Sequence, residues 1–452
     1  MDKIKIYFLF HSKAFWPSWE TFWNACNEDP RITTKMIFCP TINQDKGCNG
    51  QFIDSEDWLI SNKISYTNVK NVNFKKEQPN IIVIQTPYPY HRKSKYLSSE
   101  FKKIGIKPIY ISYGLEFAEA QENIFNHFKL PIHINSWRIF TASPLILNDF
   151  QKYCPVGNSH VRYLGHPKFD YIFNKNHFHL PSEIIEKAKG RKIVVWKVHF
   201  PMKIVDKKGK QYNSTFSWEN DKKILSYIKK QKDLFFVFLP HHLFFGVLQY
   251  KFNISIDEIN KFKQNLENNE NSTIWYDDYR PIISHCDAFM GERSSVTFEM
   301  IAYNKPVLYL EEKPETYNDF GKTILKSYDI TRTFKEIPIF LNKFRNGIDD
   351  KENKRVEAFN KVFPNIGGNS GYRIKEDIIN ELENETKINK LNSKIQTQRK
   401  TIHIVKIKIK KNKAEFDTIR EKYYNQLHDS KFFIPYKIWH SNFKKNKINE
   451  FP

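Results

Sequence analysis

The chain has 452 residues and a formal net charge of +22, and 40% of its residues are hydrophobic and 15% aromatic. A chain of this length holds two or three domains with large cores. The excess of basic residues indicates anionic partners such as nucleotides, phosphates, polyanionic glycans or an acidic membrane surface. Five dispersed cysteines without a CxxC pair argue against a disulfide scaffold or a zinc site. We recognise neither a secretory signal nor an apolar run near the ~20 residues of a membrane span, so we expect a cytoplasmic protein.

Short apolar runs alternate with helical patterns through the first part of the chain. We predict strands at residues 4–10, 35–39, 81–84, 109–112, 137–141 and 161–164. Such alternation predicts a doubly wound parallel sheet, in which ligands bind beyond the carboxyl ends of the strands. Residues 85–88, 113–116, Ser143 and 165–167 lie at these ends, although turns there are more often structural than ligand-binding.

A second sheet of the same kind is predicted further along the chain. Its strands are expected at residues 191–198, 234–239, 274–276, 288–290 and 307–310. Two such sheets joined in the middle predict an α/β protein with two domains facing a cleft. We place these domains at residues 1–178 and 179–385, followed by a basic helical tail at residues 386–452.

The turn between the predicted strand 288–290 and the helix that follows it has the composition of an anion site. Ser294 and Ser295 are natural N-caps for a helix at residues 296–303, and Arg293 precedes them. Backbone N–H groups, the positive end of the helix dipole and a guanidinium would converge there. Glu299 would project from the first turns, where a carboxylate accepts hydrogen bonds from ribose hydroxyls. An ordinary capped helix with surface charges explains the same pattern equally well.

Histidines follow two of the buried strands of the second sheet. His199 ends one strand, and His241 and His242 follow another. A histidine at a strand end that faces a cleft suits general-base chemistry, because its pKa lies near the working pH. Together with Arg293 and the two serines, these histidines suit group transfer from an activated phosphate. The alternative is that each histidine only hydrogen-bonds its own turn.

Metal binding is not expected in this chain. The spacing of the three histidines does not match a zinc site. Asp277 and Asp278 are adjacent, and we expect them to cap the helix at Arg280 rather than to bind a metal. The chain contains no Walker A motif, no GxGxxG and no GxSxG.

The tail has a strongly basic, amphipathic pattern. Residues 387–413 contain ten lysines or arginines and no acid. Apolar residues recur with heptad spacing at Ile388, Leu391, Ile395, Ile402, Val405, Ile409, Phe416, Ile419 and Tyr423. This pattern favours a helix lying on an anionic membrane, with the aromatic and basic residues 431–445 sharing the contact. A coiled coil, or a solvated helix packed on the body of the protein, is the alternative.

Six short motifs occur in a fixed order between about residues 75 and 330. The longest is GERSSVTFEMIAYNKPVLYL at residues 291–310. The others are QTPY at 85–88, YG at 113–114, LGHPKFD at 164–170, VWKVH at 195–199 with STF at 214–216, and LPHH at 239–242. Together they resemble elements of the CDP-glycerol glycerophosphotransferase family, whose enzymes build teichoic acids and related phosphate-linked surface polymers. The family's versions are TDYSS-x-x-F-D…KP, G-x-P-R-x-D and K-P-H-P, and a variant seen in some members has Q-x-P-Y, Y-G and W-x-P-H-H…STF.

This resemblance implies a GT-B fold, with two Rossmann-like domains, the first binding an acceptor and the second a nucleotide donor. It implies metal-independent attack of a polymer hydroxyl on the β-phosphorus of CDP-glycerol, with release of CMP and no cofactor. It also implies peripheral attachment to the inner face of the cell membrane. By position, His241 becomes a catalytic or phosphate-binding residue, Glu292, Ser294 and Ser295 become nucleotide and phosphate contacts, and Glu299 takes the place of the family's acid.

The chain departs from the family pattern at three places. Tyr113-Gly114 stands where many members have a His-Gly that serves as the candidate base, and Leu239 replaces a lysine. Glu292-Arg293 replaces Asp-Tyr before the serines. Our candidate catalytic residues are therefore His241, His199 and Tyr113. The candidate substrate-binding residues are Arg293, Ser294, Ser295, Glu292, Glu299, His242, Gly165, His166 and Pro167.

We predict a transferase of bacterial surface-polysaccharide assembly, such as teichoic-acid or capsule synthesis. It would move glycerol phosphate, or a similar alditol phosphate, from a CDP-activated donor to a glycan or polyol-phosphate hydroxyl. One alternative is a GT-B glycosyltransferase that uses a nucleotide sugar. Another is a non-catalytic scaffold that binds polyanions or membranes. Nucleic acid is not an expected partner, since no recognised binding module is present.

Overall fold

A computed structural model describes residues 3–42, 49–173, 177–201, 203–205, 211–213, 217–311 and 316–411. The chain divides into one compact unit, Met1–Asp377, and a second, Ile378–Pro452. Both sheets lie in the first unit. The predicted 214–216 motif, the heptad positions beyond Lys411 and the aromatic segment 431–445 lie outside the described residues.

The first sheet has seven parallel strands in the order β3-β2-β1-β4-β5-β6-β7. These are β1 (Ile4–Phe10), β2 (Ile32–Phe38), β3 (Tyr66–Asn68), β4 (Ile81–Ile84), β5 (Lys107–Ile111), β6 (Arg138–Phe140) and β7 (Val161–Arg162). Every residue of β4 is buried, as expected for a parallel strand with helices on both faces of the sheet. All six strands predicted for this half are present, whereas the short edge strand β3 was not predicted.

Helices cover both faces of this sheet. They are α1 (Glu20–Asn27), α2 (Asn49–Ser61), α3 (Phe74–Glu77), α4 (Ser98–Lys103), α5 (Gln121–Phe128), α6 (Pro131–Asn135) and α7 (Pro144–Tyr153). Short 3-10 helices occur at Lys13–Ser18, Val69–Asn71, Pro89–His91, Ser94–Tyr96 and Pro167–Phe173. The 3-10 helix at Pro89–His91 directly follows the carboxyl end of β4, so it lies at the edge where ligands bind in such sheets.

The second sheet has six parallel strands in the order β12-β11-β8-β13-β14-β15. Its strands, and a separate antiparallel pair formed by β9 and β10, are β8 (Lys192–Val198), β9 (Lys203–Val205), β10 (Gln211–Asn213), β11 (Leu234–Pro240), β12 (Ser272–Ile274), β13 (Ala288–Gly291), β14 (Val307–Leu310) and β15 (Asp329–Thr331). The five predicted strands are present, and β15 was not predicted. The β9–β10 pair was not predicted.

The helices of the second half follow the same alternation. They are α8 (Ser182–Ala188), α9 (Trp218–Ile228), α10 (Phe244–Lys251), α11 (Ile256–Glu267), α12 (Arg280–His285), α13 (Ser295–Glu299), α14 (Asp319–Leu325), α15 (Glu336–Arg345) and α16 (Glu352–Val362). The helix predicted at residues 296–303 is α-helical only in its first part, and Met300–Tyr303 is a 3-10 helix.

The segment that follows β5 joins the two sheets. The rings of Phe117 and Phe298 stack with centroids 4.0 Å apart. Ala118 and Tyr317 form an antiparallel bridge, and Asn318 Nδ2 donates to the Glu116 carbonyl at 2.6 Å. Because these contacts join the loop after β5 to the helices after β13 and β14, the carboxyl ends of the two sheets meet.

The last described helix, α17 (Ser370–Lys411), is 42 residues long. Both oxygens of Asp170 accept hydrogen bonds from its first backbone N–H groups, those of Ser370 and Gly371, at 2.7 and 2.9 Å. The sequence predicted that a helical tail begins at residue 386, whereas the structure has one continuous helix across that position. No helix in the described part of the chain has the length and apolar character needed to span a bilayer. The domain boundaries at 178 and 385 stay predictions.

Candidate functional site

Three adjacent strands of the second sheet end at one place. In the parallel register, Lys197 of β8 lies beside Leu239 of β11 on one side and Gly291 of β13 on the other. The residues that follow these positions therefore come together beyond the same edge. This convergence brings His199 and His241 close to the turn that carries Glu292.

The three predicted histidines form one cluster. The ring centroids of His199 and His241 are 4.6 Å apart, and those of His241 and His242 are 3.9 Å apart. His199 and His241 are half-buried and His242 is exposed. Phe200 packs against the first two rings, at 4.3 and 4.7 Å. The prediction that strand-end histidines come together is therefore confirmed in position, while their roles stay predictions.

Hydrogen bonds to the backbone assign opposite tautomers to His199 and His241. The Nδ1 of His199 lies 3.0 Å from the carbonyl oxygen of Phe200, which can only accept, so this nitrogen carries the proton. The Nδ1 of His241 accepts from the backbone N–H of Leu243 at 3.2 Å, so here the proton is on Nε2. In the neutral state, Nε2 of His199 is thus a proton acceptor, whereas Nε2 of His241 is a hydrogen-bond donor.

Both imidazoles are held neutral at pH 7. Burial, followed by the charges of Arg293 and Lys197, lowers the pKa of His199 well below its usual range. Burial, followed by the neighbouring histidines and Lys197, also lowers the pKa of His241. An anionic ligand beside these rings would raise both pKa values, because it favours the charged form of imidazole.

A buried lysine at the centre of this cluster was missed in the sequence. Lys197 is 4% exposed, and its Nζ donates to the Val198 carbonyl at 2.9 Å. Burial lowers its pKa to about 7, although the charge of Glu292 opposes the effect. The available signal was a lysine within the otherwise apolar run 193–198, one residue before its end, where an amine is costly to bury.

The turn after β13 holds this cluster in place. The carboxylate of Glu292 accepts from the backbone N–H of His199 at 2.7 Å, and its carbonyl accepts from the Thr297 hydroxyl at 2.6 Å. Arg293 is 5% exposed, with its guanidinium carbon 5.9 Å from the ring centroid of Phe117. Ser294 caps α13 as predicted, since its Oγ accepts from the Val296 N–H at 3.2 Å.

Two residues that we predicted to contact the ligand here, Ser295 and Glu299, bond to other groups of the protein. The Oγ of Ser295 accepts from the backbone N–H of Leu115 at 2.9 Å, which joins the two sheets. Glu299 is buried, and its oxygens bind Lys168 at 2.6 Å and the Tyr279 hydroxyl at 2.7 Å. Ser295 and Glu299 therefore have structural roles here, and their nucleotide and ribose contacts stay predictions.

The predicted residues of the first sheet lie in two places. Tyr113 is half-buried, and its hydroxyl is 3.0 Å from that of Tyr88. Burial raises the pKa of Tyr113 well above its usual range, so at neutral pH it is a phenol and not a base.

The turn at residues 165–167 is packed against other parts of the first unit. Gly165 has φ +85°, and a Cβ there would lie 2.3 Å from the Ser370 hydroxyl. His166 is fully buried, with Nε2 bonded to the Ser112 carbonyl at 2.6 Å and Nδ1 accepting from the Lys168 N–H at 3.2 Å. Pro167 is also buried. A substrate contact of these residues stays a prediction.

Metal-ligating residues do not cluster in the described part of the chain. There, no group of three or more His, Cys, Asp or Glu side chains is arranged to hold an ion. Asp278 accepts from the Arg280 N–H at 3.0 Å, so it caps α12 as predicted. Metal independence of the reaction stays a prediction.

The two facing parallel sheets with helices define the GT-B fold. The structure superimposes on wall teichoic acid polymerase TagF with a TM-score of 0.54 and 12% identity, covering 85% of this chain and 90% of that one. It matches a putative UDP-N-acetylglucosamine 2-epimerase from Listeria monocytogenes (TM-score 0.57, 12% identity, 84% and 97% coverage). The structure of Staphylococcus aureus MnaA with UDP superimposes with a TM-score of 0.55 and 11% identity, covering 84% of this chain and 97% of that one.

At such low identity, these likenesses show the fold alone. TagF is a neighbour that the sequence resemblance led us to expect. No protein-family model and no curated protein sequence matches the chain.

We expect Lys197→Met to raise the pKa of His199 and His241, because it removes a positive charge from the middle of the cluster. The free energy of unfolding should stay the same or increase, since a buried amine is replaced by an apolar side chain of similar length. Histidine ring signals followed by NMR across a pH titration measure the first effect, and urea unfolding measures the second. Lys192→Met, at the exposed start of the same strand, is the control. If the histidines of Lys197→Met titrate as in the wild type, the Lys197 charge does not lower the pKa values of His199 and His241.

Proposed function

We propose that the protein is a transferase of bacterial surface-polysaccharide synthesis that moves glycerol phosphate, or a similar alditol phosphate, from a CDP-activated donor to an acceptor hydroxyl. The observation that carries this proposal is the pair of neutral histidines with opposite tautomers beside Lys197 and Arg293. A proton acceptor, a hydrogen-bond donor, the Arg293 guanidinium and the Lys197 amine, which a bound phosphate would keep protonated, meet at the carboxyl ends of β8, β11 and β13. This is the set of groups that phosphoryl transfer requires.

In the proposed reaction, Nε2 of His199 takes the proton of the acceptor hydroxyl. The acceptor oxygen then forms a bond to the β-phosphorus, and the bond from that phosphorus to the CMP oxygen breaks. Lys197 and Arg293 stabilise the negative charge that develops on the phosphates, and Nε2–H of His241 donates to a phosphate oxygen. We propose that no metal ion and no cofactor are needed.

Two fold neighbours support a nucleotide donor. A structure of TagF was determined after a soak with CDPG, and MnaA was determined with UDP. The sequence motifs resemble those of the TagF type, which favours a cytidine donor. The UDP in MnaA favours the second candidate, a GT-B glycosyltransferase that uses a nucleotide sugar. In that case the acceptor attacks a sugar carbon, and the same base and cations serve.

A thermal-shift panel distinguishes these candidates. We expect CMP, CDP-glycerol or CDP-ribitol to raise the melting temperature, because a ligand that binds only the folded state stabilises it by mass action. The shift should be the same with EDTA. Stabilisation by UDP- or GDP-sugars alone would move the protein to the glycosyltransferases. No stabilisation by any nucleotide, with or without added acceptor, would favour a non-catalytic scaffold.

Glutamine substitutions test the separate roles of the two histidines. His241→Gln should retain roughly tenfold more activity than His241→Ala, because the carboxamide N–H can donate where Nε2–H did. His199→Gln should lose about 10²–10⁴-fold in kcat, as does His199→Ala, because a carboxamide cannot take up the proton. Steady-state kinetics of purified variants, with folding checked by circular dichroism, measure both. Equal rescue at the two positions would contradict the tautomer assignment.

The pH dependence of the wild type follows from the same assignment. Protonated His199 cannot act as a base, so activity should fall at acidic pH. Since the pKa of His199 is lowered in the unliganded protein, the acid limb of kcat/KM should lie below the usual imidazole range. A bound diphosphate raises this pKa, so the acid limb of kcat should lie at higher pH than that of kcat/KM.

We also propose that α17 contacts an anionic membrane surface. Ile388, Leu391, Ile395 and Ile402 are 57%, 47%, 38% and 41% exposed, and their spacing puts them on one face. The segment 387–402 carries five basic residues and no acid. An exposed apolar stripe beside basic side chains suits the interface of an anionic bilayer, with the protein peripheral at the inner face of the cell membrane.

Charge reversal tests the membrane contact. At ~1 kcal/mol for each lysine, Lys387, Lys390 and Lys394 changed together to Glu should weaken binding to phosphatidylglycerol vesicles by roughly 100-fold or more. Vesicle sedimentation at fixed salt is the measurement. The control changes Lys129, Lys189 and Lys251, which are exposed on the first unit, and alters the net charge equally. If both triple variants bind alike, the helix is not the contact.

A further inference from the structure

Three tyrosines line the edge of the first sheet beside the candidate site. We define Tyr88, Tyr90 and Tyr113 as the tyrosine strip. The rings of Tyr88 and Tyr90 are stacked, with centroids 5.4 Å apart and planes inclined by 26°. The hydroxyls of Tyr88 and Tyr113 are 3.0 Å apart. Tyr90 is 53% exposed, while Tyr88 and Tyr113 are half-buried.

The strip is continuous with the candidate site. Tyr113 precedes Gly114, where a Cβ would lie only 2.9 Å from the Ser295 hydroxyl at the start of α13. Ser295 in turn accepts from Leu115. The strip therefore begins where the two sheets touch and continues outward along the ends of β5 and β4. Phe15, 8% exposed, packs on Tyr113 with ring centroids 4.5 Å apart and supports it from inside.

Its chemistry suits a neutral sugar ring. A pyranose presents a face of C–H groups, which packs against a flat aromatic face, and a rim of hydroxyls, which bond to phenol hydroxyls. Burial, and then the charges of Glu116 and Glu122, raise the pKa of Tyr88, so carboxylates act on this part of the strip. Lys197 and Arg293, the cations of the candidate site, belong to the second sheet. A carboxylate near the strip would repel an anionic polyol phosphate, whereas it would not repel an uncharged sugar.

We propose that the tyrosine strip is a binding site for a sugar ring of a neutral glycan, and that this glycan is the acceptor. That the glycan is the acceptor rests on the proposed transferase function. The strip then holds the glycan with one hydroxyl directed to the cleft between the two sheets.

Direct binding tests the site without any turnover. The probes are cellobiose, lactose and N,N′-diacetylchitobiose, with sn-glycerol 3-phosphate as the charged comparison, and saturation-transfer NMR measures the apparent Kd. We expect at least one disaccharide to bind, and Tyr90→Ala to weaken it about 3- to 10-fold through loss of the stacked face. Tyr90→Phe and Tyr90→Trp should retain binding. Tyr372→Ala is the matched control, because Tyr372 is also 53% exposed.

The outcomes separate the sugar site from the transferase. Binding that depends on Tyr90 supports the site whether or not a nucleotide stabilises the protein. Nucleotide stabilisation without disaccharide binding would overturn the site and leave the transferase intact. Binding of glycerol phosphate alone, or equal losses in Tyr90→Ala and Tyr372→Ala, would also overturn it. If Tyr90→Ala fails to fold, the NMR contacts between the disaccharide and tyrosine rings of the wild-type protein decide, and their absence would overturn the site.

Discussion

The parallel register of β8 between β11 and β13 is the constraint on which the candidate site depends. Side chains at paired positions of neighbouring strands point to the same face, so Lys197 must share its surroundings with Leu239 and Gly291. The residues 193–196 of β8 and 234–238 of β11 are apolar and buried. Apart from Lys197, the polar groups of the site therefore lie beyond the strand ends, where the two histidines and the Glu292 turn meet.

Two charged side chains of this site bond to backbone groups. The Glu292 carboxylate is engaged with the backbone N–H of His199, while the Lys197 amine donates to a carbonyl. Burial, and then the neighbouring positive charges, lower the pKa of both imidazoles and keep them neutral. A diphosphate would supply the opposite charge that this arrangement favours, and it would do so beside a histidine whose Nε2 can accept a proton. In the proposed reaction, binding and proton transfer would thus be linked through one electrostatic environment.

Local sequence patterns predicted the parts of the structure that depend on local physics. Buried apolar runs gave the strands, and polar residues after them gave the histidine cluster. Ser294 was predicted as a cap because serine before an amphipathic segment satisfies the first N–H groups of a helix. Lys197 was not predicted as a site residue, because a lysine in an apolar run gives no sign of which face it occupies. The edge strands β3 and β15 have only three residues each and depend on their neighbours for stability.

Contacts between distant parts of the chain were beyond prediction from one sequence. Ser295 was expected at a phosphate, and its hydroxyl instead accepts from Leu115, 180 residues earlier. Glu299 was expected at a ribose, and it instead pairs with Lys168, which follows β7 of the first sheet. Neither the contact with Leu115 nor the contact with Lys168 produces a sequence pattern around Ser295 or Glu299 that would reveal it. Such pairings become visible only when the two sheets are placed together.

The segment after β5 connects the two halves of the proposed chemistry. Tyr113 belongs to the tyrosine strip, Leu115 binds Ser295 at the start of α13, and Phe117 lies under the Arg293 guanidinium. Six consecutive residues, 112–117, thus contact both the proposed sugar site and the proposed phosphate site. A shift of this segment would move the acceptor and the donor contacts together. In the proposed reaction, this short piece of backbone, held by the Phe117–Phe298 stack, would therefore position the acceptor hydroxyl relative to the phosphorus.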